Sequence, residues 1–166
     1  MKYAHVRPMI RSGDILAWSA RESMFSSWHA FKVAIVRLWT KSEYSHVGTA
    51  WVVGSRVFVI EAVMPKVRIY PLSKLGDFYW LQMGAYWRKA TETLALSYVG
   101  DDYSQVQAMV SPFITPPNDD RWECAELVAC IARQDSIDLG MVFTPSEVVL
   151  AAQKRGAPLA FVEGGV

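Results

Sequence analysis

The spacing of apolar residues changes period several times along the chain, and each change marks an element. After the turn cluster Ser12-Gly13-Asp14, the continuous run Ile15-Leu16-Ala17-Trp18 reads as a short buried strand. From Glu22 to Thr40, Met24, Trp28, Phe31, Ile35 and Leu38 recur at helical spacing, with Trp39 widening the stripe, so this segment is predicted to be an amphipathic helix. Lys41-Ser42-Glu43 is a polar break. Val47 to Val53 and Val57 to Val63 flank Gly54-Ser55-Arg56, the pattern of a β-hairpin. Val67-Arg68-Ile69-Tyr70 alternates as a third strand, Pro71 to Leu75 reads as a short helical turn, and Phe78 to Met83 as a fourth strand. Together these predict an antiparallel sheet in the middle of the chain.

Helix formers then run from Tyr86 to Leu96, with Ala85, Ala90 and Leu94 expected inward and Gly100 as a stop. Ser111 to Asp120 mixes proline with polar residues, a loop expected to overhang the next helix as a substrate loop. That helix, Cys124 to Gln134, is marked by Leu127, Val128 and Ile131. A last one follows Thr144-Pro145-Ser146-Glu147, where an N-cap, a first-position proline and a first-turn acid coincide, and runs to about Lys154. No internal repeat is present, and Glu163 to Val166 is expected to be loose.

Composition narrows the class. A chain of 166 residues, 52% hydrophobic and 13% aromatic, suits a single domain over residues 1–166 with a core that needs no disulfide. The net charge is +1 and the basic residues are scattered, which offers no stripe for a phosphate backbone and argues against nucleic acid as a partner. Met1 to Ile10 lacks the apolar run of a secretory signal. The longest apolar stretch, Phe31 to Trp39, is too short to span a bilayer and is broken by Lys32 and Arg37, so no transmembrane segment is expected. A cytoplasmic location follows as the expectation. Cys124 and Cys130 are the two cysteines, and six helical residues separate them by roughly 9 Å, beyond disulfide reach.

The candidate chemistry rests on three residues. Cys124 opens a helix, where the dipole and a nearby imidazolium favour a thiolate, although a small buried apolar residue is the commoner role of an intracellular cysteine. His46 starts a predicted strand, from which its ring can project from the sheet edge as general base. His5, near a terminus expected to be loose, and His29, beside Trp28, lack that context. Glu61 interrupts Val57-Phe58-Val59-Ile60 and Ala62-Val63, and a carboxylate in such a strand needs a partner to offset desolvation. The two lie on neighbouring strands and meet if the register gives them one face. Zinc is the rival reading, because all three side-chain types ligate it. No close cysteine pair or Cys-x-x-His spacing is present, so no metal or other cofactor is expected.

The order of these motifs resembles the permuted branch of the NlpC-type papain-like superfamily, the YiiX-like proteins, along most of the chain. The resemblance is carried by Gly13-Asp14-Ile15-Leu16, Tyr44-Ser45-His46-Val47-Gly48, Glu61-Ala62, Tyr98-Val99-Gly100-Asp101-Asp102-Tyr103 and Cys124-Ala125-Glu126-Leu127-Val128. Ala125 and Ser104 depart from the serine and aspartate usual in that pattern. The resemblance implies an α+β, papain-like, circularly permuted fold whose antiparallel sheet packs against the helix bearing Cys124. It implies Cys124 as nucleophile, His46 as base and Glu61 as orienter, with Tyr103, Tyr44 and Ser45 at the substrate. Glu126 is read as a solvated first-turn acid.

The resulting expectation is a thiol hydrolase that cleaves an amide in a peptide or cell-wall fragment through an acyl-thioester. Two alternatives stand beside it. One is an acyltransferase or esterase acting on lipid acyl groups, with Phe25, Trp28, Trp39, Tyr79, Trp80, Tyr86 and Trp87 lining an acyl groove. The other is a non-catalytic binding module on the same fold.

Overall fold

The computed structural model describes residues 1–19, 43–84, 86–103 and 121–164. The helix expected over 22–40 and the loop expected over 111–120 lie outside these residues, as do Phe25, Trp28, His29, Trp39, Ala85 and Ser104. The described chain is an α+β fold. A short helix α1 (Tyr3–Val6) and a 3-10 turn (Arg7–Met9) precede β1 (Ile15–Ser19), β2 (Tyr44–Val53), β3 (Arg56–Val63), β4 (Lys66–Pro71) and β5 (Phe78–Leu81). Then come α2 (Lys89–Ser97), β6 (Asp102–Tyr103), β7 (Arg121–Trp122), α3 (Cys124–Gln134), α4 (Pro145–Lys154) and β8 (Leu159–Val162).

All eight strands form one sheet in the order β7-β6-β4-β3-β2-β1-β5-β8. Every pairing is antiparallel except β6 with β7. The β1 strand is buried at all five positions because it is interior to the sheet and both its faces are covered. On one face, Ile15, Ala17 and Val47 pack against Val128 and Ala129 of α3 and Val148, Val149 and Ala152 of α4. On the other, Leu16, Trp18, Phe78 and Trp80 pack with Tyr3, Val6 and Ile10. A third cluster joins Ile60, Ala62 and Val67 to Leu127 and Ile131 of α3 and Ala95 of α2. This seats α3 across the middle of the sheet.

Asp14 holds the entry to β1. Its side chain is buried, and it accepts hydrogen bonds from the Arg11 amide (3.0 Å), the Trp80 indole (2.8 Å) and the Met83 amide (2.9 Å). The Gly-Asp motif is therefore a structural pin between β1 and the end of β5.

Several expectations are corrected. The strand expected over Phe78 to Met83 ends at Leu81, since the Met83 amide turns away to Asp14. The helix expected from Tyr86 begins only at Lys89, and its inward residues are Thr91 and Ala95, whereas Ala90 is exposed. The Thr91 hydroxyl contacts the Asp135 carboxylate (2.6 Å), and this bond together with Ala95 packing sets the helix phase. His46 was expected at a sheet edge, but β2 is an interior strand. Neither end is loose over its described residues: the Met1 amine donates to the Phe161 carbonyl (2.9 Å), Tyr3 and Glu163 share a backbone bond, and the Gly164 amide reaches Asp77 (2.6 Å). The α1 and β8 elements had no sequence signal long enough to read. Both cysteines are free thiols.

Candidate functional site

The site begins with an irregularity in the β1–β2 ladder. Trp18 pairs with His46 and Ser19 with Tyr44, so Ser45 is the extra residue of a β-bulge. Its hydroxyl donates to the Trp18 carbonyl (3.3 Å), which fixes the bulge. His46 then lies against the Trp18 ring, with centroids 5.4 Å apart.

The register of β2 on β3 brings His46 to Glu61. Thr49 pairs with Ile60, and one step along the same ladder Gly48 faces Glu61. A Cβ at position 48 would lie 2.5 Å from Val59 Cγ2 and 3.2 Å from Glu61 Cβ, so only glycine lets the strands close here. The diagonal neighbour His46 reaches across: its Nε2 lies 2.8 Å from Glu61 Oε2, with both residues almost wholly buried. Glu61 is also directly opposite Arg68 on β4. Its other oxygen, Oε1, accepts from Arg68 Nε at 2.9 Å and Nη2 at 2.7 Å.

Cys124 is the first residue of α3 and is buried. It lies close enough to His46 for its sulfur to bear on the titration of the imidazole. Nε2 is engaged by Glu61, which leaves Nδ1 as the other ring nitrogen. Burial alone would lower the His46 pKa, but the interaction with Cys124, the hydrogen bond the ring donates to Glu61 and the charges of both push it up to about 9. Burial likewise favours a neutral Glu61. The hydrogen bond and charge of His46, followed by those of Arg68, overcome it and hold the carboxyl below its ordinary value.

No protein-family model matches the chain, and no curated protein matches it. Among solved structures it is similar to the crystal structure of the metalloprotein YiiX from Escherichia coli O157:H7, DUF1105, with a TM-score of 0.51 and 23% identity. The match covers 75% of this chain and 66% of that one, so this chain spans just under two-thirds of the protein it matches. The fold is YiiX-like.

Within the YiiX-like fold the other expected site residues separate by position. Tyr103, on the short strand β6, is buried beside the cysteine; its pKa is raised by burial first and then by the nearby charges of Cys124 and Glu123, so it stays a protonated hydroxyl. Tyr44 packs in the same cluster as Cys124, stacked edge-on against Tyr79 at 5.2 Å. Its pKa is pushed up to about 12, chiefly by burial and then by Glu43 and Tyr79. Ser45 is occupied with the β1 backbone. Glu126 is half-buried in the first turn of α3.

Two neighbours were missed by sequence reasoning, Arg68 and Trp18. For Arg68 the predicted strands leave residues 64–66 between them, and it is the two-residue turn at Met64-Pro65 in the structure that sets 61 opposite 68. Trp18 carried no signal, since its meeting with His46 depends on the bulge. Of the aromatic residues proposed for an acyl groove, Trp80 is core and Tyr86 is exposed, so they do not share one lining. Among the described residues no helix is long and apolar enough to cross a membrane.

Proposed function

We propose that this chain is a cysteine hydrolase of the permuted papain-like type, cleaving an amide bond in a peptide or cell-wall fragment through an acyl-thioester. The observation that carries the reading is a buried imidazole hydrogen-bonded to a carboxylate and lying beside a helix-initial thiol. In this reading the Cys124 proton already rests on His46, whose pKa lies above neutral, and the thiolate sulfur attacks the carbonyl carbon. The imidazolium gives that proton to the leaving amine as the C–N bond breaks. Water, deprotonated by His46, then attacks the thioester, and the carboxylic acid leaves with the thiolate–imidazolium pair restored. Glu61 keeps Nε2–H pointed at itself and so keeps Nδ1 pointed at sulfur. The Cys124 backbone N–H at the helix start is one donor for the oxyanion, and the protonated Tyr103 hydroxyl is a candidate for another.

The solved neighbour is a metalloprotein, and a metal reading of this site was weighed against its residues. They do not fit: Glu61 already carries a guanidinium on one oxygen and an imidazole on the other. The described residues hold no group of three or more histidine, cysteine or acidic side chains arranged to take an ion.

The test is iodoacetamide alkylation of Cys124 against pH, with Cys130 as internal control, in the parent and in His46→Ala. Cys124 is expected to react at a pH where Cys130 does not, and His46→Ala to slow it by roughly tenfold or more at pH 6. Equal, His46-independent rates at the two cysteines would replace the enzyme reading with the binding-module one. Given a reactive thiol, peptides, cell-wall fragments and short acyl esters are then compared as substrates; turnover of the esters alone would move the assignment to the lipid acyl reaction.

A further inference from the structure

We propose that Arg68 is a positioning residue for this site: it neutralises and orients Glu61, so that the carboxylate can support a thiolate–imidazolium pair instead of competing with it. The inference rests on the thiol-hydrolase reading above.

The argument starts from charge. With Cys124 as thiol and His46 neutral, the three residues Cys124, His46 and Glu61 hold one negative charge, on Glu61, and Glu123 beside Cys124 is a further buried acid. Moving the proton from sulfur to imidazole separates a further pair but leaves that one negative charge uncompensated unless a cation joins it. Burying an unpaired charge is costly, and without a cation beside it Glu61 relieves that cost by taking up a proton, which removes the charge facing His46. Arg68 supplies the missing cation. It can do so because its guanidinium is 38% exposed and keeps part of its hydration while reaching a carboxylate that is 1% exposed.

Geometry gives the second half. Arg68 Nε and Nη2 both converge on Oε1, at 2.9 and 2.7 Å, and leave Oε2 to His46 at 2.8 Å. A carboxylate held this way has one orientation, with a single oxygen directed at the imidazole. The guanidinium is itself placed twice over. It sits on the strand position directly across from Glu61, and it lies over the Tyr70 ring two residues along the same strand, 4.7 Å from the centroid. Lysine at this position would keep the charge but not the two converging bonds.

The prediction concerns the acid side of the reactivity profile. Without Arg68, Glu61 takes up a proton at higher pH, the contact with His46 weakens, and the thiolate loses its partner as the solution is acidified. In Arg68→Gln, Cys124 alkylation by iodoacetamide is expected to fall roughly tenfold at pH 5 and less than about twofold at pH 8, relative to the parent. Arg68→Lys should lie between the two, and Glu61→Gln/Arg68→Gln should lose little beyond Glu61→Gln alone, because the two residues act as one unit. A lowered melting temperature with an unchanged pH profile in Arg68→Gln would overturn the proposal and leave Arg68 a structural ion pair. If Arg68→Gln does not fold, Arg68→Lys and the double variant distinguish the same two roles. His46→Ala separates the two levels of claim. If it leaves Cys124 unaffected, the hydrolase reading fails; if it slows Cys124 while Arg68→Gln matches the parent at pH 5, only the role of Arg68 fails.

Discussion

Gly48 sets the spacing on which the His46–Glu61 contact depends. A methyl there collides with a side-chain atom of Val59 at 2.5 Å and presses on the Ile60 carbonyl and Glu61 Cβ at 3.1 and 3.2 Å. Val59 and Ile60 are fully buried, so the collision cannot be relieved towards solvent. Gly48→Ala is expected to destabilise the fold by roughly 1–3 kcal/mol, the usual cost of overpacking, as measured by urea denaturation. It should also blunt the His46 dependence of Cys124 alkylation, because β2 must move away from β3 at the position between the two side chains. The residues flanking this glycine were legible in sequence as polar interruptions of apolar strands. Arg68 was not read as part of the site, because an alternating strand with one outward arginine looks the same whether that arginine meets water or a carboxylate.

At the level of elements, local signals did best where an element is specified by its own sequence. The α4 helix begins where the sequence places it: the Thr144 side chain accepts from the Glu147 amide, and Glu147 accepts from the Thr144 amide (2.9 Å). Thr144→Ala should cost about 1 kcal/mol in urea denaturation and leave Cys124 reactivity unchanged, since the cap is exposed and outside the site. The α3 helix and the β2–β3 hairpin were likewise legible from spacing and from the turn at Gly54-Ser55. Where a partner decides the outcome, local signals did worse. The α2 helix starts late and turns Thr91 inward because Asp135, far along the chain, accepts its hydroxyl. The short strands β6 and β7 are defined by their partners, Asp102–Tyr103 pairing with Arg121–Trp122 and Asp102 also with Lys66 of β4.

For the molecule as a whole, the buried pair makes stability depend on pH in two directions. His46 is pushed from 6.5 up to about 9, so its contribution is complete below pH 6.5 and is lost as pH rises towards 9. Glu61 is held below 4.5, so its contribution is complete above that pH and is lost as pH falls through its lowered value. The pair therefore stabilises most fully between about pH 4.5 and 6.5. Between pH 6.5 and 9 the parent is expected to lose on the order of 3 kcal/mol relative to His46→Gln, with denaturation midpoints across that range as the measurement. A parallel decline in both proteins would show that the proton on His46 is not coupled to folding. The sequence by itself determined the α+β class, the strands of the central sheet, the cysteine-bearing helix and the three residue types of the site, because periodicity and turn chemistry are local properties. Only the tertiary structure decided that His46 and Glu61 share a face, that a bulge at Ser45 and the missing side chain of Gly48 let them touch, and that Arg68 meets the other oxygen of Glu61. Register, close approach and the partner of a buried charge are relations between strands, and a single run of residues does not contain them.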